Sequence, residues 1–154
     1  MKKSHVALIA YCKTKRDTAV AVPAHQLYQG QLFQAQLAYA RNCLQIPDER
    51  IFVLSAKYGL VAIREAIEPY EYTLSEKPAK ERVWWGGSVV KNLKDYYQLR
   101  PYDCHVVMMA GKVYQQPMVF YLNHFGYQWY VSHPDGLGYA QQVAWYREEM
   151  KCQT

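Results

Sequence analysis

Four short apolar runs alternate with amphipathic stretches along the chain, and this alternation most constrains the fold. A continuous apolar run of strand length is typical of a strand that is buried on both faces of a parallel sheet. The pattern therefore predicts four buried strands. They span His5–Tyr11, Ile51–Leu54, Asp103–Ala110 and Tyr127–Val131.

Helical periodicity fills most of the segments between these runs. In Gln31–Leu44, for example, apolar residues recur every three or four positions. Strands that alternate with helices predict an α/β fold, here a three-layer α/β/α domain with a mainly parallel four-stranded sheet. The other predicted helices are Pro78–Tyr97, a helix from Pro117 to Gly126, and a last helix to about Met150 with Asp135 as a candidate cap.

Two segments depart from this regular pattern. The Gly86-Gly87 pair lies inside a predicted helix, where glycine is unfavourable, so it indicates either close packing or a kink. Leu60–Ser75 has no clear period and contains the polar and aromatic stretch Glu68–Thr73. Because long loops in compact domains are usually functional, we expect Tyr70 and Glu71 to close over a ligand.

Length and composition predict one domain over residues 1–154, with 51% apolar residues for its core. No apolar run approaches the roughly 20 residues of a membrane helix, and no signal peptide is recognisable, so we expect a cytoplasmic protein. The four cysteines form no C-x-x-C pair, so neither a structural zinc site nor another cofactor is predicted.

Charge and aromatic content leave nucleic acid open as a partner. The net charge is +5 and the isoelectric point is near 8.9. The chain also has 15 tyrosines and four tryptophans, which fill cores but also stack on bases.

A cluster of polar, small or glycine residues follows each predicted strand. The carboxyl ends of parallel strands meet at one edge of the sheet, where ligands bind in open α/β folds. We therefore expect one shared, cationic site for an anionic ligand such as a phosphate, a nucleotide or a nucleic-acid backbone. The clusters are Cys12–Lys15, Ser55–Gly59, Ala110–Tyr114 and His133–Gly138.

The candidate catalytic residues at this edge are few. Lys57 or Lys13 could act as a nucleophile or base, and Cys12 is either a thiolate or simply a small strand-end residue. His133 is either a group that stabilises charge or a structural residue. The predicted ligand-binding residues are Lys15, Tyr28, Ser55, Tyr58, Tyr70, Gly111, Tyr114, Asp135, Gly136 and Gln141. No serine–histidine–acid order or phosphate-loop motif is present.

Several of these motifs resemble an uncharacterised bacterial and phage family related to YaaA-type stress proteins. The resemblance covers most of the chain. It implies an association with DNA binding and oxidative stress. The motifs are Leu27-Tyr28-x-Gly30-x-Leu32-Phe33, Leu54–Leu60, Pro69-Tyr70-x-x-Thr73-Leu74, Ala110-Gly111-x-x-Tyr114, and Gly136–Gly138 with Gln141-Gln142.

A remoter resemblance is to the uracil-DNA glycosylase superfamily, whose sheet has four parallel strands. The His133–Gly138 segment is similar to that family's His-Pro-Ser-Pro-Leu-Ser loop, and Ala110–Gln115 is similar to the end of its third strand. The resemblance implies that His133 stabilises a departing base. The family's Gly-Gln-Asp-Pro-Tyr motif is replaced here by Cys12–Lys15, a segment similar to one in archaeosine synthase.

Together these features predict an enzyme that processes bases in DNA or RNA, by N-glycosidase or base-modifying chemistry. Two alternatives stay open: a non-catalytic DNA-binding protein that uses the same basic edge, and an enzyme that acts on a free nucleotide. The sequence leaves the oligomeric state open.

Overall fold

A computed structural model describes residues 4–10, 21–27, 30–68, 70, 73–96 and 99–151 of the chain. Its centre is a five-stranded mixed sheet in the order β4-β3-β1-β6-β7. The sheet strands are β1 (Ser4–Ala10), β3 (Ile51–Ser55), β4 (Gly59–Ala62), β6 (Cys104–Met109) and β7 (Gln128–Val131). A small two-stranded sheet pairs β2 (Val22–Pro23) with β5 (Ala66–Ile67).

The four strands predicted from apolar runs are present and mutually parallel. β1 lies at the centre, where Leu8 pairs with Phe52 of β3 on one side and with Met108 of β6 on the other. All five residues of β3 are buried, as are Val6–Ile9 of β1. The continuous apolar runs therefore reflect burial on both faces.

The sheet has one strand more than the predicted four. β4 turns back from β3 and pairs with it in antiparallel register, with Leu54 opposite Leu60. Gly59 has a φ of 75°, a left-handed conformation that glycine adopts without steric cost and that allows this tight reversal. The first residues of the predicted Leu60–Ser75 loop are thus an edge strand.

The described residues include five α-helices. They are α1 (Ala24–Leu27), α2 (Gln31–Ala38, continued as a π-helical turn over Tyr39–Cys43), α3 (Ala79–Asp95), α4 (Lys112–His124) and α5 (Tyr139–Lys151). α2 packs against α5, and α3 packs against α4, an arrangement that is compatible with three α/β/α layers. No helix in the described part of the chain is long and apolar enough to cross a membrane.

Two predicted helix starts are wrong. α4 begins at Lys112, so Pro117 lies inside the helix rather than in its first turn. α5 begins at Tyr139, four residues after Asp135, so Asp135 does not cap it. Gly136, with a φ of 83°, forms a turn between Asp135 and the start of α5. The Gly138 N–H donates instead to the Gln141 side chain.

The Gly86-Gly87 pair provides close packing between α3 and α4. A Cβ atom built on Gly86 would lie 2.1 Å from the carbonyl oxygen of Pro117, and one on Gly87 would lie 2.9 Å from the Tyr121 ring. Only glycine allows the backbones to approach this closely. The two helices are therefore held side by side on the sheet.

Candidate functional site

The strand order reverses between β1 and β6. From β1 the chain first moves to β3 on one side and then crosses to β6 on the other side. In open α/β sheets, the crevice at the carboxyl ends of two such strands is where ligands bind. In this protein a cavity of about 720 Å³ opens at that position, lined by Ala10 and Met109, the last residues of β1 and β6, and by Ala110.

The cavity wall combines apolar and hydrogen-bonding side chains. Phe33, Met109 and Val113 supply apolar surface, while Gln36 and Gln142 supply amides. The volume lies within the range of about 300 to 1,000 Å³ that is typical of small-molecule sites. The remaining lining residues are Leu32, Thr73, Ser75, Gly111, Lys112, Tyr114 and Tyr139.

The amino terminus of α4 forms one lip of this cavity. Gly111 precedes the helix, and no described side chain caps it. The unpaired N–H groups at a helix start favour anions, and Lys112 adds an exposed ammonium group at the same lip. Asp135 lies 3.7 Å from the Lys112 Nζ atom, in an exposed pair that contributes little stability.

Among the described residues, Gly111 and Tyr114 are the predicted ligand-binding residues that line the cavity. Tyr114 is buried, and its ring packs edge-on against Trp85 at a centroid distance of 5.6 Å. The Trp85 indole N–H donates to the Ser55 carbonyl oxygen, over 2.9 Å. Through this chain of contacts the end of β3 supports the cavity wall without lining it.

Ser55 and Tyr70 are buried at the end of β3. The Ser55 Oγ atom donates to the Tyr70 hydroxyl over 2.8 Å and accepts from the backbone N–H groups of Lys57 and Tyr58. These bonds fix the turn from β3 to β4. Ser55, predicted to bind ligand, is therefore a structural centre of the turn, and Tyr70 is its buried partner.

Lys57 and Tyr58 lie on the outside of the same turn, beyond the residues that line the cavity. Both are exposed, and the Lys57 Nζ atom lies 5.1 Å from the centre of the Tyr58 ring. The Tyr58 hydroxyl donates to the Glu68 carbonyl oxygen, and its ring packs edge-on against Tyr70. The role of Lys57 as a nucleophile stays a prediction.

His133 follows β7 and belongs to a buried hydrogen-bond network. Its Nδ1 atom lies 2.7 Å from the Tyr146 hydroxyl, which also bonds the Ser132 hydroxyl over 2.6 Å. The Gln36 side chain lies close enough to the same Tyr146 hydroxyl to oppose the rise in the pKa of that group. Gln36 lines the cavity, so Tyr146 lies between the cavity wall and His133.

The network indicates where the His133 proton lies. Burial lowers the pKa of His133, against the opposing effect of Asp135, and burial raises the pKa of Tyr146 to about 12. Both groups are therefore neutral at pH 7. When the Ser132 hydroxyl donates to the Tyr146 oxygen, the Tyr146 hydroxyl donates to Nδ1 of His133, and the imidazole proton resides on Nε2. That nitrogen is then a hydrogen-bond donor.

The other predicted residues of this loop are exposed. Gly136 forms the turn that follows Asp135. Gln141, predicted to bind ligand, accepts the Gly138 N–H over 2.9 Å and so stabilises the start of α5. Its neighbour Gln142 lines the cavity instead and donates to the Leu137 carbonyl oxygen over 2.9 Å.

Four predicted site residues, Cys12, Lys13, Lys15 and Tyr28, lie outside the described residues, as does Glu71. Within the described ranges, no cluster of three or more histidine, cysteine or acidic side chains could hold a metal ion. The sequence reasoning missed Gln36, Phe33 and Gln142. The sequence did contain a sign of Gln36 as a site residue, because it is a polar residue in the helix whose apolar face predicts the core.

Comparison with known proteins gives a family and no activity. Residues 6–148 match the family model described as a family of unknown function, DUF6884. No curated protein matches the chain. The chain belongs to the DUF6884 family.

Proposed function

We propose that this DUF6884 protein is a base-processing enzyme that takes one nucleotide unit into the cavity between β1 and β6. The observation that carries the proposal is the cavity itself, at the point where the strand order reverses. Its volume of about 720 Å³ suits a nucleotide-sized ligand. The four parallel strands also support the finer prediction of a uracil-DNA glycosylase-like fold.

The apolar wall suits a nucleobase. Phe33 and Met109 offer surface for the base faces, and amide side chains such as Gln36 and Gln142 pair with base edges. Gln36 is only 2% exposed, which makes its amide a defined, water-shielded partner. A base in this position would be read by hydrogen bonds and held by burial.

The lip suits a phosphate. The first N–H groups of α4 belong to Gly111, Lys112 and Val113, all of which line the cavity. Together with the Lys112 ammonium group they provide positive potential at the lip of the cavity. The predicted cations Lys13 and Lys15 follow β1, whose end lies at the same cavity.

Hydrolysis of the N-glycosidic bond is the reaction that these groups favour. The C1′–N bond breaks, its electron pair leaves on the base, and a water oxygen bonds to C1′ while the water proton passes to solvent. His133 is not among the residues that line the cavity, so a hydrogen bond from its Nε2 atom would stabilise the departing base only where the base reaches past the lining. Lys57 lies beyond the lining residues, so the alternative route would use the Lys13 amine. A C1′–Nζ bond would replace the C1′–base bond, and water would then hydrolyse the C1′–Nζ bond to release the sugar.

Mass spectrometry of released bases and altered nucleosides tests the proposal. The protein is incubated with single-stranded and duplex DNA, with RNA, and with free nucleotides, each with normal and modified bases. We expect a released or altered base in at least one arm, and the arms distinguish a polynucleotide from a free nucleotide. Salt-sensitive binding with no covalent change in any arm would favour the non-catalytic DNA-binding alternative.

Filling the cavity should abolish ligand binding without unfolding the protein. A Cβ atom on Gly111 meets no atom within 4 Å, and its φ of −72° is accessible to any residue. Gly111→Leu should therefore fold normally and lose binding of nucleoside monophosphates by calorimetry. Gly138→Leu is the matched control at an exposed glycine outside the lining. Unchanged binding in Gly111→Leu would remove the cavity from the proposal.

A further inference from the structure

Two aromatic side chains are unusually exposed on the paired helices α3 and α4. Trp84 of α3 is 74% exposed and Phe120 of α4 is 67% exposed, although both helices pack closely on each other. Trp85 and Tyr114, by contrast, are buried between the helices. The exposed rings are thus not part of the core.

Each exposed ring shares a helix face with a lysine. On α3, Lys80, Trp84 and Lys91 follow each other at spacings of four and seven residues, which places them on one side of the helix. On α4, Lys112 and Phe120 are eight residues apart, which places them about 80° from each other around the helix, and both are exposed. Lysine and aromatic side chains therefore form a stripe on each helix.

The two stripes adjoin and begin at the cavity. Tyr121 packs over Gly87 of α3 and edge-on against Phe120, at a centroid distance of 5.2 Å, so it bridges the helices. Lys112 lines the cavity, and Ser75, in the turn that leads to α3, lines it as well. We call the surface formed by Lys80, Trp84, Lys91, Lys112 and Phe120 the α3–α4 face.

The excess of cations on this face indicates an anionic partner. α3 carries Lys80, Arg82, Lys91 and Lys94 against two acidic residues, Glu81 and Asp95. α4 carries Lys112 and no aspartate or glutamate. Phosphates complement the cations, and unpaired bases stack on exposed rings, whereas a duplex presents no free base faces.

We propose that the α3–α4 face binds single-stranded nucleic acid that continues out of the cavity. Bases stack on Trp84 and Phe120, and Lys80 and Lys91 contact the phosphates. This inference deepens the proposed function, because it makes the substrate a strand rather than a free nucleotide. The binding surface itself can be tested without any catalysis.

Fluorescence anisotropy with a labelled oligothymidylate and oligouridylate of about 12 nucleotides tests the face, because single strands occupy about 4 to 16 nucleotides on such surfaces. Trp84→Ala should weaken binding roughly 5- to 100-fold, the effect of losing one base–aromatic stack. Lys80→Gln should lower the slope of log affinity against log salt by about 0.7. Tyr102→Ala removes an aromatic ring that is 88% exposed elsewhere, and it should bind as the wild type does.

The outcomes separate this inference from the proposed function. Loss of oligonucleotide binding in Trp84→Ala, with monophosphate binding in the cavity retained, supports both. Oligonucleotide binding that depends on Trp84, without any monophosphate binding, supports the face and overturns the cavity assignment. Equal oligonucleotide affinity of Trp84→Ala and wild type overturns the face. Trp84-dependent self-association in sedimentation, without oligonucleotide binding, overturns it in favour of a second copy.

Discussion

At the scale of single residues, Ser55 shows how a polar residue after a buried strand can be structural. Its hydroxyl group is fully buried, accepts two backbone N–H groups and donates to Tyr70. The adjacent carbonyl oxygen accepts the Trp85 indole N–H. One residue therefore joins β3, the turn, the loop after β5 and α3.

Ser55→Ala should destabilise the protein by about 2 to 3 kcal/mol, because the buried Tyr70 hydroxyl and two partly buried N–H groups of the turn lose their partner. Urea unfolding followed by circular dichroism measures the change. Ser88→Ala, at a half-buried serine in α3, is the control and should change stability little. A Ser55→Ala protein as stable as the wild type would contradict the structural role.

At the scale of elements, the pairing of α3 with α4 depends on two adjacent glycines that are not equivalent. Gly86 faces the backbone of Pro117, which cannot move away without displacing the helix. Gly87 faces the Tyr121 ring, a side chain that can rotate. The cost of adding a methyl group should therefore differ between the two positions.

Gly86→Ala should destabilise the protein by about 1 to 3 kcal/mol despite the higher helix propensity of alanine, because the new methyl group forces the helices apart. Gly87→Ala, the matched variant one position on, should cost clearly less. Thermal unfolding of the two variants measures the difference. Equal stabilities would mean that the close approach of the helices does not constrain the fold.

Most strands and helices could be predicted from local sequence patterns, and the exceptions have physical reasons. The four parallel strands were predicted because burial on both faces leaves long apolar runs. β4 was missed because it is four residues long and follows a turn directly. The start of α4 was misplaced because Pro117, which usually marks a first turn, lies inside the helix, where it packs on Gly86.

At the scale of the whole molecule, the position of the site depends on strand order, which no local pattern carries. The sequence predicted that polar clusters gather at one edge, but not that the cavity opens between β1 and β6. The site prediction therefore emphasised the turn after β3, where Ser55 and Tyr70 are structural, and missed the cavity residues Gln36 and Gln142. Gly111 and Tyr114 were found because they directly follow β6.

The stability of the whole protein should fall as the pH drops below about 7, through His133. Burial lowers its pKa in the folded state below the ordinary value of 6.5, so the unfolded chain binds this proton more readily. The free energy of unfolding then rises with pH between the pKa of His133 in the folded protein and 6.5. Below the pKa in the folded protein, the whole contribution of His133 to stability is lost. The midpoints of urea unfolding, determined from pH 5 to pH 8, measure this pH dependence of stability.

His133→Gln is the variant that isolates this effect, because it removes the titrating group and leaves the other histidines in place. Its stability should depend less on pH than that of the wild type over the same range. A parallel pH dependence of the two proteins would show that His133 keeps its ordinary pKa and is not shielded from water.

Tyr146 lies between the cavity residue Gln36 and the buried His133, and this position connects the two sites. The Gln36 amide opposes the rise in the pKa of Tyr146, and the Tyr146 hydroxyl pairs with Nδ1 of His133. A ligand that draws the Gln36 amide away from Tyr146 would change the surroundings of the group that holds His133. Any effect of cavity occupancy on His133 would be matched by an equal effect of His133 on ligand affinity, because such coupling is reciprocal.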